Sequence, residues 1–215
     1  SPPMPFAHAL GIAGEKANVY EFVRAFVMHF CVFHQASDAR LYILGKSKTE
    51  WEWADELPHC QPDQQGNYLC FADEIEVISD ENVFDDVDGD EYDQFLEGLR
   101  KVLSQRKIRM AERDEQDKTI KDDPTLPHLL VVVDLLESTY DAKARLNKLE
   151  EDAAISILLS EGAALGATVL FLVPERAKVP SRCASVIEVD STTPATNSKM
   201  QQFQRLHFRY AETGV

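Results

Sequence analysis

Apolar residues along this chain fall into two rhythms, and the switches between them mark out its elements. "HALGIAG" (8–14) is a short apolar run that ends in a small glycine-bearing turn at Gly11 and Gly14. In "VYEFVRAFVMHFCVFH" (19–34), Phe22, Phe26, Phe30 and Phe33 recur at helical spacing beside Val19, Val23 and Val27. That pattern predicts a helix whose aromatic stripe belongs to the core. "QASDAR" then turns the chain into "LYILG", a short strand over 41–44. It is expected to lie beside the first strand and parallel to it, because a helix joins the two. "KSKTEWEWADELPHCQ" is polar with Trp51 and Trp53, and reads as a loop or short helix over a sheet edge. Packing is the expected role of the two indoles, with a partner-binding patch as the rival reading.

Helical periodicity resumes in "YDQFLEGLRKVLSQRKIRMAERDE", through Phe95, Leu99, Val102 and Leu103. "HLLVVVDLL" (128–136) is continuously apolar and β-branched, the signature of a central parallel strand buried on both faces, with Asp134 at its carboxyl end. "YDAKARLNKLEEDAAISILLSEGAALG" supplies one or two helices stopped by Gly166. "ATVLFLV" is a further buried strand broken at Pro174, and "SVIEVD" reads as the last one. This alternation predicts an α/β fold, a mainly parallel sheet with helices on both faces. No internal repeat is found, and residues 1–215 are expected to form a single domain.

Charge narrows the function classes. Asp and Glu number 37 against 22 Lys and Arg, a formal net charge of −15. This is the reverse of what neutralises a phosphate backbone, so DNA is an unfavourable partner for this domain alone. Much of the excess sits in the run from Asp73 to Asp93, predicted to be a solvated, mobile insertion. Within it "DDVDGDEYDQFLE" imitates a calcium loop, but with Gly89 at the sixth position Phe84 and Phe95 fall where the first and last ligands belong. Cys31, Cys60, Cys70 and Cys183 form no CxxC pair, so reduced thiols in a cytosolic setting are expected, and His59-Cys60 and His29-x-Cys31 lack zinc spacing. No metal site and no Gly-x-Ser-x-Gly elbow is expected. The opening Ser1-Pro2-Pro3 reads as a boundary inside a longer protein.

The chemistry turns on the first strand and helix. Strand, glycine turn and helix, followed far along the chain by "LLVVVD", is the layout of a phosphate-binding loop and its acidic partner strand, yet no Gly-Lys-Ser/Thr is present. His8, Leu10, Arg24 and His34, "ARLYILG", Leu57-Pro58-His59, "FLEGLRKVLSQRKIRM", "LPHLLVVVDLL" and "GAALGATVLFLV" form an ordered set. On that set the chain resembles the FtsK/SpoIIIE family of ATPases, in particular the tandem ATPase modules of the type VII secretion proteins EccC and EssC. The resemblance spans nearly the whole chain. It implies a P-loop NTPase fold of the RecA/FtsK type, a membrane-anchored parent with cytoplasmic modules, ring-like assembly, and either DNA translocation or protein export.

The departures from that family carry a message of their own. Counting back from Arg24 puts Val19 at the phosphate-binding lysine and Tyr20 at the magnesium-binding Ser/Thr; aligning Gly11 and Gly14 to the loop glycines puts Ala17 and Asn18 there instead. Asp134 survives in the second motif, but Leu135 replaces the Glu that would activate water, and Glu137 stands too far along. Ala163 replaces a turn arginine, and Val173, Pro174 and Glu175 replace a Ser/Thr-Gln pair with Arg176 nearby. No catalytic residue and no cofactor is therefore expected, ATP and magnesium entering only if the site works. The favoured reading is a non-hydrolysing scaffold, regulatory or docking module whose partners are neighbouring ATPase modules or basic proteins. The rivals are an active ATPase completed by Lys16 or in trans, and an unrelated α/β ligand-binding domain using the crevice beside Asp134.

Overall fold

The computed structural model describes residues 8–45, 48–61, 68–71, 87–115, 126–136, 149–192 and 205–212. The elements run β1 (Ala9–Gly14), α1 (Lys16–Phe33), β2 (Ala39–Gly45), α2 (Lys48–Trp51) with two 3-10 turns (Glu52–Glu56, Pro58–Cys60), β3 (Leu69–Phe71), α3 (Val87–Glu115), β4 (His128–Asp134), α4 (Ala153–Glu161), β5 (Ala167–Val173), a 3-10 turn (Arg176–Lys178), β6 (Ser185–Thr192) and β7 (Arg205–Glu212). All seven strands form one sheet, ordered β3-β2-β4-β5-β1-β6-β7. Every neighbouring pair is parallel except β6 and β7.

This order follows from which strands are apolar on both faces. β4 and β5 are buried at almost every position and take the centre. β1 lies against β5 and β6, so β2 is not its neighbour as expected from the connecting helix: α1 crosses over β5 and β4 before β2 joins the sheet. Two strands went unpredicted. The three-residue β3 is too short to show alternation, and β7 pairs antiparallel beyond "SVIEVD".

Helices cover both faces. On one, Val19, Tyr20, Val23 and Val27 of α1 pack on Ile12, Leu41, Ile43, Leu130, Val132, Leu170 and Leu172. On the other, Phe95, Leu96, Leu99 and Leu103 of α3 and Ala154, Ile155 and Leu158 of α4 cover Val131, Val133, Val169 and Phe171. The valines make the centre of α1's core face, with Phe22 and Phe30 of the aromatic stripe partly buried against it. Phe26 is 40% and Phe33 70% exposed, because the sheet accepts the Val19, Val23 and Val27 stripe and turns the aromatic one to the flank. α3 begins at Val87, so the last part of the acidic run is helical, while residues 72–86 lie outside the described set. α4 ends at Glu161, and Gly166, at φ +64°, serves the turn into β5 instead of stopping the helix.

The amino ends of β4 and β5 are tied to α3 by one buried cation. The Arg106 guanidinium donates to the carbonyls of Leu165 (2.9 Å) and Pro127 and makes a longer contact with that of Gly166 (3.5 Å). Burial, partly opposed by Tyr42, pulls its pKa down to about 10, so it stays charged at neutral pH. Asp152 caps α4 through the Ala154 amide at 2.7 Å and pairs with Arg100 of α3 at 2.8 Å. Cys31, Cys60, Cys70 and Cys183 form no disulfide. Burial, with Cys31 and Asp55 adding to it, pushes the Cys60 thiol up to about 12.

Replacing Arg106 by Met is expected to lower unfolding free energy by about 3 kcal/mol in urea titration, since three buried carbonyl contacts lose their donor. His128 gives a pH test. Its pKa is lowered by burial, then by Arg106 and His34, so the folded state resists its protonation. The stability this represents is complete above the unfolded value near 6.5 and is lost as pH falls through and below it. Denaturation midpoints should fall on acidification, and His128→Gln should flatten that slope.

Candidate functional site

In an open parallel sheet, ligands enter at the carboxyl ends of strands where the winding direction reverses. Here the chain leaves β1 towards β2 and leaves β5 in the opposite sense towards β6, so the reversal lies at β1 and β5. β5 stands between β1 and β4, with Ile12 paired to Leu172 and Leu172 to Asp134. Asp134 is therefore two strands, about 10 Å, from Ile12. Its alternation places it on the same face as Val132 and α1.

Three donors converge on the Asp134 carboxylate. Tyr20 Oη donates to Oδ2 at 2.7 Å, Trp51 Nε1 donates to the same Oδ2 at 2.9 Å, and the Leu136 amide donates to Oδ1 at 3.0 Å. Tyr20 reaches across from the second turn of α1, and Trp51 comes down from the end of α2. Their rings meet edge to face with centroids 6.1 Å apart. Asp134 is 3% and Trp51 1% exposed, so the cluster is closed to water. Trp51 thus packs over the carboxyl end of the sheet and not over its edge. Nothing in its polar surroundings signals a partnership with Asp134, 83 residues away. The second tryptophan, Trp53, donates to the Glu50 carbonyl and lies 5.8 Å from the Arg24 guanidinium.

The segment between β1 and α1 is a single residue, Glu15. Gly11 and Gly14, expected in a turn, belong to β1, and both are required by packing. A Cβ on Gly11 would stand 2.3 Å from Val179 of the turn that crosses β1, and one on Gly14 would stand 2.3 Å from the Val189 carbonyl, at a φ of +157°. Glu15 occupies the N-cap of α1, and its carboxylate accepts from Asn18 Nδ2 at 3.3 Å. The positive end of the helix dipole therefore already has an anion of the chain beside it.

The other predicted positions scatter. Lys16 and Ala17 are exposed in the first turn of α1, with the Lys16 ammonium 5.8 Å from the Tyr20 ring centroid. Asn18 and Val19 are buried under the helix. Leu135 is buried on the opposite face from Asp134, among the α3 and α4 contacts. Ala163 is exposed in the turn before β5, and Arg176 pairs with Glu188 at 3.7 Å. Glu137 lies outside the described residues. His59 donates from Nε2 to the His34 carbonyl at 2.8 Å, tying the 3-10 turn to the end of α1. Among the described residues no group of three or more His, Cys, Asp or Glu side chains could hold a metal, and no helix is long and apolar enough to cross a membrane.

EssC (ATPases 2 and 3) from Geobacillus thermodenitrificans superposes with a TM-score of 0.54 at 16% identity, over 86% of this chain and 32% of that one. Thermomonospora curvata EccC (ATPases 2 and 3), in complex with a signal sequence peptide, gives 0.58 at 16% identity, over 85% and 31%. The fold is that of EssC and EccC ATPase domains. The cytoplasmic domain of EssC adds a TM-score of 0.56 at 13% identity, over 98% of this chain and 41% of that one. The chain thus spans about a third of the length of the first two. No family model matches the chain, and no curated protein matches it in sequence.

Removing either donor to Oδ2 should be measurable. Tyr20→Phe and Trp51→Phe are each expected to cost about 1.5–3 kcal/mol in chemical denaturation, the range for a hydrogen bond to a charged group. A double-mutant cycle should show coupling between them, because both act on one oxygen.

Proposed function

We propose that this chain is a non-hydrolysing module of an FtsK/SpoIIIE-like motor of the type VII secretion kind, serving as scaffold, regulator or docking domain. The observation that carries the reading is the double donation of Tyr20 and Trp51 to Asp134 Oδ2. In the resembled family the equivalent of Asp134 faces a small hydroxyl residue and a magnesium ion. Here a phenol and an indole fill that space and use the oxygen.

The residues present do not fit a magnesium-bound triphosphate. A phosphate cradle needs a loop of several residues whose amides turn inward, and Glu15 alone connects β1 to α1. That residue is also an anion, so phosphate would approach against like charge. The contact of Tyr20 with Asp134 supports the alignment in which Val19 and Tyr20 replace the lysine and the hydroxyl residue, over the one that uses Ala17 and Asn18. Lys16, the residue on which an unorthodox site would depend, stands over the Tyr20 ring. No catalytic step is therefore assigned to the chain.

The net charge of −15 favours basic proteins and neighbouring modules over DNA as partners. A cytoplasmic location and a membrane-anchored parent belong to the same proposal. Isothermal titration with magnesium-ATP tests it: no heat is expected at millimolar nucleotide. Micromolar binding that disappears in Lys16→Ala or Asp134→Ala would overturn the reading and make this an unorthodox nucleotide site.

A further inference from the structure

The flank of α1 carries apolar surface that the sheet does not use. Along it Phe26, His29 and Phe33 follow one another at steps of three and four residues, the spacing of a seam made to receive a second helix, and Phe22, itself partly buried against the core, extends the row by one turn. Their rings join in pairs: Phe22 stacks on Phe26 with centroids 6.5 Å apart, and His29 lies 4.5 Å from Phe33. Farther round the outer side of the helix Val32 is 74% and Met28 42% exposed, and Ala25 between them and the seam leaves room for close approach. The run from Phe22 to Phe33 measures about 16 Å along the axis, two to three turns.

Charge says what covers it. From Ala25 to Gln35 the sequence holds no Asp, Glu, Lys or Arg, in a chain whose net charge is −15. Two copies repel wherever their acidic surfaces face each other, and here that repulsion is weakest. Between Phe26 and Phe33 a basic or acidic partner finds no counter-charge, whereas a second α1 laid antiparallel sets Phe26 against His29 of the other copy and brings Phe33 to Phe22. The patch is on the order of 400–600 Å² on each side, which makes an interface at the small end of specific ones.

We propose that the outer seam of α1 is a self-association surface that takes α1 of a second copy of this chain, giving a weak two-fold dimer. It stands independently of whether the chain binds nucleotide. Sedimentation velocity over a micromolar to submillimolar range tests it. Expected are a monomer–dimer equilibrium in the micromolar range and tighter association at higher salt, because screening removes repulsion between acidic copies. Phe26→Glu with Phe33→Glu should weaken the dimer by at least about tenfold. Circular dichroism should show that variant folded, since both side chains are largely outside the core. Met110→Glu, on the exposed face of α3, should leave association unchanged. A monomer throughout, an association loosened by salt, or one that survives the double substitution would overturn the proposal.

Discussion

A carboxylate buried to 3% exposure persists only if its oxygens are satisfied, and Asp134 meets that demand with groups from three separate parts of the chain. The Leu136 amide holds it from just beyond its own strand, Tyr20 from α1, and Trp51 from α2. These donors fix where the amino-terminal part of α1 sits over the sheet and where the segment after β2 returns to it. The same helix begins directly beyond β1, with Glu15 alone between Gly14 and Lys16.

The same cluster fills the space beside Asp134. In a phosphate-binding fold the crevice between β1 and β4 is kept open by small residues and an exposed acid. Here large aromatic groups on both sides turn it into an extension of the core. In the non-hydrolysing module proposed for this chain, these aromatic contacts supply stability where a ligand would otherwise contribute it.

Much of the architecture is legible in the sequence because burial on both faces leaves no ambiguity of period. "HLLVVVD" and "ATVLFLV" appear as β4 and β5 at their expected places, and Phe95, Leu99, Val102 and Leu103 are the buried face of α3. Strand neighbours are not encoded locally, so placing β2 beside β1 fails where α1 makes a longer crossover. Within α1 two apolar stripes compete, and composition cannot say which one the sheet accepts. Asp134 is legible as the end of a strand. Its bond to Trp51 is not, because a contact over 83 residues leaves no periodic trace. Gly11 and Gly14 mislead for a related reason: glycine is needed equally for a loop and where a neighbouring group approaches too closely for a side chain, and the Val179 side chain and the Val189 carbonyl make these the second kind.

The clamp at Arg106 gives the two ends of the sheet different mechanical characters. Three backbone carbonyls at the amino ends of β4 and β5 hang from one side chain of α3. Farther along the same helix, Phe95, Leu96 and Leu99 lie in one core cluster with Val133, Phe171 and Leu135, the neighbour of Asp134. α3 is thus a beam laid along the sheet, bolted to the start of its central strands by a charge and bedded on the rest of their length by apolar contact alone.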